Sequence, residues 1–84
     1  MAQTFFPRVY TMVPASSPHP PNTEYKVSIG YELWDNTINT VMKVQMVYDG
    51  VIAGRRNPSY PLHSDDYYRV NDAIQKLHAE DTDA

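Results

Sequence analysis

The sequence predicts an α+β domain: an antiparallel sheet of three to four strands, in β-β-β-β-α order, with one C-terminal helix packed on one face. Three observations carry that prediction. From Tyr25 to Leu33 apolar and polar side chains alternate, the period of a strand with one buried face. Asp49-Gly50 joins two such runs, and this pair is the strongest short-range signal for a two-residue hairpin, because both turn positions need positive φ. After Ser64 the period changes, and Tyr67, Val70, Ala73, Ile74 and Leu77 fall on one face of a helix.

Taken in order, residues 1–13 read as an edge strand. TFFPRVYTMV is rich in aromatic and β-branched residues, and Pro7, which cannot donate to a ladder, confines it to an edge. Alternation places Phe5, Val9 and Val13 on one side and Phe6, Tyr10 and Met12 on the other, so it does not choose a register. Residues 14–23, with four prolines in ten residues, suit an extended polyproline-like connection that spaces this strand from the rest.

Residues 24–56 form an antiparallel meander. Tyr25, Val27, Ile29, Tyr31 and Leu33 face a core, with Lys26, Ser28, Gly30 and Glu32 opposite. A turn over Asp35–Asn39 leads into Met42, Val44, Met46 and Tyr48 on the core side. Asp49-Gly50 then sets Tyr48 against Val51, Met46 against Ala53 and Val44 against Arg55, with Ile52, Gly54 and Arg56 beside Val47, Gln45 and Lys43 on the other face. NPSYPL is a loop. Ser64 is the expected N-cap of a helix over residues 64–79, with Asp65 and Asp66 favouring the helix dipole. Asp65 with Arg69, and Asp72 with Lys76, make acid-first pairs at i, i+4, and residues 80–84 are a frayed acidic tail.

The 84 residues fit a single domain, which at this size buries roughly 60 to 65 per cent of its unfolded surface and has a small core. There are no cysteines to brace it, which favours self-association as the way to bury more surface. No run approaches a membrane span and no leader is evident, so a cytoplasmic protein is expected. Net charge is −3, with five Lys/Arg against four Asp/Glu in residues 1–62 and two against six in residues 63–84. An acidic C-terminal part argues against a protein devoted to the phosphate backbone.

No constellation promises catalysis. His63, Ser64 and Asp65 are consecutive and cannot form a nucleophile–base line, His19, His63 and His78 have no metal-ligand spacing, and no glycine-rich phosphate loop is present. No enzyme activity, metal or cofactor is therefore expected. The uncovered sheet face is too apolar to be merely solvated, so the leading expectation is a protein–protein interaction domain, a homodimer or a partner-binding module. Trp34, Lys43, Val47, Ile52, Arg56, Tyr60 and Tyr68 are the interface candidates. The alternative is nucleic-acid or nucleotide-phosphate binding through Lys43, Arg55, Arg56 and Tyr60, where arginine forks meet an aromatic ring that can stack.

Overall fold

The structure, a computed structural model, describes residues 4–81. Four strands, β1 (Phe5–Pro14), β2 (Thr23–Trp34), β3 (Thr37–Tyr48) and β4 (Val51–Ile52), form one antiparallel sheet in the order β1-β2-β3-β4, and α1 (Asp66–Glu80) follows. The expected α+β fold is therefore present.

Both hairpin turns are two residues long. Asp49 and Gly50 have φ of 50° and 79°, and Tyr48 pairs with Val51 as the sequence requires. The turn expected over Asp35–Asn39 narrows to Asp35 and Asn36, with φ of 46° and 67°. Asp and Asn tolerate the left-handed region, so the pair makes a second tight hairpin and gives Thr37 to Asn39 to β3. At the other end β4 is shorter than expected. It stops at Ile52, and the chain turns away when Arg56 N–H donates to Ala53 O at 3.1 Å. Val44 therefore does not face Arg55, nor Lys43 Arg56.

The proline connection is not extended. β1 and β2 are antiparallel neighbours, with Pro14 opposite Glu24, so residues 15–22 must reverse the chain within a short span. Ala15 N–H donates to Thr23 O at 2.9 Å, Thr23 Oγ1 to Pro20 O at 2.6 Å, and Asn22 takes φ of 63°. The Ser17–Pro18 peptide is cis.

A bulge between Pro7 and Val9 settles the side-chain ambiguity of β1. Beyond it Val9, Thr11 and Val13 align with Ile29, Val27 and Tyr25 on the helix side. Before it Phe6 aligns with Tyr31 on that side while Phe5 joins Glu32 on the opposite, open face. Phe5 thus parts company with Val9 and Val13, because one inserted residue flips the alternation.

The core gathers Val13, Tyr25, Val27, Ile29, Met46, Val70 and Leu77, with Val9, Met42, Val44, Tyr60, Ala73 and Ile74 packed against it. Tyr67, expected on this face, is instead 55 % exposed, and Asp66 is buried in its place. The helix starts one residue later than a Ser64 cap implies. Ser64 Oγ accepts from Asp66 N–H at 3.2 Å and donates to Pro61 O at 2.7 Å, while Asp65 holds the cap position without a side-chain cap bond.

The helix lies mainly over β1 and β2; from β3 it reaches the fully buried Met46, which joins Val70 and Leu77 in the core. Both of its ends are tied to the β1 side. Asp66 binds Ser16, just past β1, and Arg8 in the bulge grips Asp81 through two bonds of 2.9 and 2.5 Å. The start of β3, at Ile38 and Thr40, and the far end of β2, at Tyr31 and Leu33, remain uncovered on the helix side.

Candidate functional site

The most perturbed groups in the molecule surround Asp66, whose carboxylate is fully enclosed. Its Oδ2 accepts from Ser16 N–H at 2.9 Å and from Tyr25 Oη at 2.7 Å, and its Oδ1 accepts from Arg69 at 2.5 Å. Arg69 also reaches Pro14 O at 2.9 Å, Ser16 Oγ at 3.2 Å and Asp65 at 3.0 Å. Burial alone would raise the Asp66 carboxyl, but the bonds from Ser16, Tyr25 and Arg69 outweigh it and hold it well below the usual carboxylate range. Burial first, and then the Asp66 carboxylate, push the Tyr25 phenol far above its ordinary value. These are the shifts of a sealed structural network: neither Tyr25 nor Asp66 has any surface for a substrate to reach.

Sequence reasoning missed this site, although a signal for it existed. Residues 66, 70, 73 and 77 share a helical face as well as residues 67, 70, 74 and 77 do, and an acid is a poor core residue only when it lacks donors. The phenol has a testable consequence. Its folded value lies above the unfolded one near 10, so its contribution to stability is complete below that pH and is lost as pH rises beyond it. The melting temperature is expected to fall above pH ~10 more steeply for the wild type than for Tyr25→Phe. Equal alkaline slopes in thermal melts would overturn this assignment.

An aromatic chain extends the network outward. Tyr60 lies 5.2 Å from Tyr25 and 5.8 Å from Tyr67, which in turn lies 5.5 Å from the exposed Tyr68. His19 docks beside them: its Nε2 is 2.7 Å from Ser59 O, and its ring stands edge-on to Tyr25 at 5.9 Å.

The open face is partly closed by its own side chains. Lys43 pairs with Glu32 and lies over the Phe5 ring at 4.8 Å, Lys26 lies over Tyr10 at 4.5 Å, and Trp34 Nε1 donates to Glu32 at 2.7 Å. The Lys43 and Trp34 bonds, in that order, hold Glu32 below its ordinary value. Val47 is only 2 % exposed, at the base of a hollow of about 220 Å³ that Tyr10, Met12, Lys26 and Ile52 also line. Long amphipathic stems cover apolar surface in this way while their charged ends stay wet.

The seven interface candidates therefore scatter. Trp34, Lys43, Val47 and Ile52 share the open face, with Val47 inaccessible; Tyr60 and Tyr68 belong to the aromatic chain at the start of the helix; and Arg56 lies 5.7 Å from Tyr48 on the helix side. The four phosphate-binding candidates are not brought together either. Lys43 is on the opposite face from Tyr60 and Arg56, and Arg55 is exposed in the turn after β4. The acidic residues of the helix and its end are engaged elsewhere, Asp65 and Asp66 by Arg69 and Asp81 by Arg8.

What the structure does assemble was not foreseen. Phe6, Tyr31, Leu33 and Ile38 share the helix side of the sheet, past the point where α1 ends, and all are exposed, Leu33 by 42 % and Ile38 by 71 %. Beside them, an apolar cleft of about 380 Å³ runs between the helix and β3, lined by Ile29, Thr40, Met42, Ile74 and His78.

Among the described residues no group of three or more metal-ligating side chains converges, and no helix is long and apolar enough to cross a membrane. The chain matches no family model, and no curated protein or solved structure is detectably similar to it.

Proposed function

We propose that this chain is a non-enzymatic protein–protein interaction domain that self-associates through the part of the sheet its own helix leaves uncovered. The observation that carries this reading is the exposed group Phe6, Tyr31, Leu33 and Ile38, which lies on one face and continues into the cleft beside Met42. Contiguous exposed apolar surface of this kind marks contact sites, whereas scattered apolar residues do not. A non-enzymatic role is supported by the enclosure of the Tyr25–Asp66 network. Nucleic-acid or nucleotide-phosphate binding has less support, because its four residues lie apart and Lys43 is already paired.

Sedimentation velocity over a range of concentrations tests the reading. The wild type is expected to show a reversible monomer–dimer equilibrium. Leu33→Ser with Ile38→Ser, both changes of exposed side chains, is expected to weaken association about tenfold or more while leaving the circular dichroism unchanged. A wild type that stays monomeric at every concentration would remove this reading.

A further inference from the structure

One edge of the sheet is blunted and the other is not. β1 carries Pro7, Pro14 and the bulge, all of which deter pairing with another strand. On the opposite side β4 covers only Val47 and Tyr48, with Ala53 N–H adding one bond to Met46 O at 2.9 Å. That bond fixes which backbone groups of β3 point outward. Met46 turns its carbonyl away from β2, and with the two-residue period of a strand so do Ile38, Thr40, Met42 and Val44. Among the described residues no strand pairs with these four. The free run contains no proline, glycine or bulge, and its only charge, Lys43, is already paired with Glu32.

We infer that a second copy of this chain pairs here, β3 against β3 in antiparallel sense about a two-fold axis at Val41, to make one continuous eight-stranded sheet. This rests on the self-association proposed above and specifies its geometry. Three features select the occupant and the register. Only an axis at Val41 maps the free run Ile38–Val44 onto itself, setting Ile38 opposite Val44 of the second copy and Thr40 opposite its Met42. β4 ends the run at Met46 and blocks slippage further along. The cross-strand rows that result are complementary on both faces.

On the helix side the row reads Val27 and Val44, then Ile38 and Leu33 of the second copy, so Ile38, the most exposed aliphatic residue of the sheet, meets apolar neighbours. On the open face it reads Ser28 and Lys43, then Asn39 and Glu32 of the second copy, which brings cation toward carboxylate. Like charges never stand directly opposite. Nor do the helices obstruct the joint. Each lies over β1 and β2, so they stand roughly 19 Å apart by four strand spacings of about 4.8 Å, beyond the 8–10 Å of packed helices.

The test uses two substitutions. Thr40 is exposed and its N–H points outward, so Thr40→Pro removes a donor from the joint without removing one from the β2–β3 ladder. Symmetry doubles the loss, and the dimer dissociation constant is expected to rise about tenfold to a hundredfold with the circular dichroism unchanged. Val41→Cys places a single thiol on the axis of a chain that has no cysteine, in a non-hydrogen-bonded pair whose spacing suits a disulfide. It is expected to form covalent dimers under mild oxidation, whereas Val51→Cys on the exposed face of β4 is not.

If the wild type associates but Thr40→Pro associates equally well, and Val41→Cys cross-links no better than Val51→Cys, the edge joint is overturned while self-association through another surface stands. If the wild type is monomeric throughout, both are overturned.

Discussion

Replacing Asp66 by alanine is expected to destabilise the fold by about 3–5 kcal/mol, the range seen when one member of a buried charged pair is removed. The carboxylate is fully enclosed and satisfies three groups at once: the Ser16 N–H, the Tyr25 hydroxyl and the Arg69 guanidinium. Without it the Ser16 N–H loses its acceptor and a cavity opens beside Tyr25. Small domains have about 5–15 kcal/mol in total, so this loss leaves little or none. Urea denaturation of Asp66→Ala and Asp66→Asn separates the contributions. Asparagine keeps the shape and one acceptor oxygen, and its loss is expected to be smaller.

The acid side adds a second readout of the same contact. The Asp66 carboxyl is held below its unfolded value of about 3.9, so the stability it contributes is present above that pH. That stability is lost as pH falls from there through the folded value. Asp66→Asn cannot titrate and is expected to melt with a shallower dependence on pH below ~4. If the variant and the wild type lose stability in parallel on acidification, other carboxylates carry the acid transition and the network has been given too much weight.

The strands, the hairpin and the helix were legible because each has a local signal. Alternation from Tyr25 to Leu33 identifies a strand, and Asp49-Gly50 requires positive φ wherever it occurs. The lateral position of the helix was not legible. Spacings of three and four residues identify a helix face but say nothing of which strands it covers, and here two distant polar contacts decide. Arg8 and Asp81, 73 residues apart, hold one end to β1, and Ser16 and Asp66, 50 residues apart, hold the other. Arg8 looked like an ordinary strand residue and Asp66 like a helix-start charge. Neither pairing follows from periodicity.

The same contacts decide which part of the sheet the helix leaves open. A helix centred over β2 and β3 leaves only the opposite face open, so Val47 and Ile52 looked like contact residues. With the helix drawn toward β1, the uncovered surface moves to Ile38, Leu33 and the edge of β3. The open face meanwhile is partly covered by the stems of Lys26 and Lys43, which lie over Tyr10 and Phe5.

The bulge that positions Arg8 depends on Gly30, and Gly30→Ala is expected to disrupt it. A Cβ at this position would lie 2.3 Å from Phe6 O and 2.7 Å from Pro7 Cα. Both are backbone atoms of β1, which cannot rotate away as a side-chain tip can. Overpacking of side chains costs about 1–3 kcal/mol, and a clash with backbone belongs at or beyond the top of that range. The first half of β1 is expected to lift from β2, taking with it the bond from Leu33 N–H to Thr4 O and loosening the Arg8 grip on Asp81. Hydrogen exchange resolves this residue by residue. In Gly30→Ala the Leu33 amide should lose protection while the amides of Val41 and Lys43, bonded between β2 and β3, keep theirs. Gly54→Ala supplies the control, since nothing lies within 4 Å of the added methyl, and it is expected to change stability by less than about 0.5 kcal/mol. Full protection of Leu33 in Gly30→Ala would mean that β1 shifts bodily to admit the methyl, and that the bulge, not the glycine, sets the close approach.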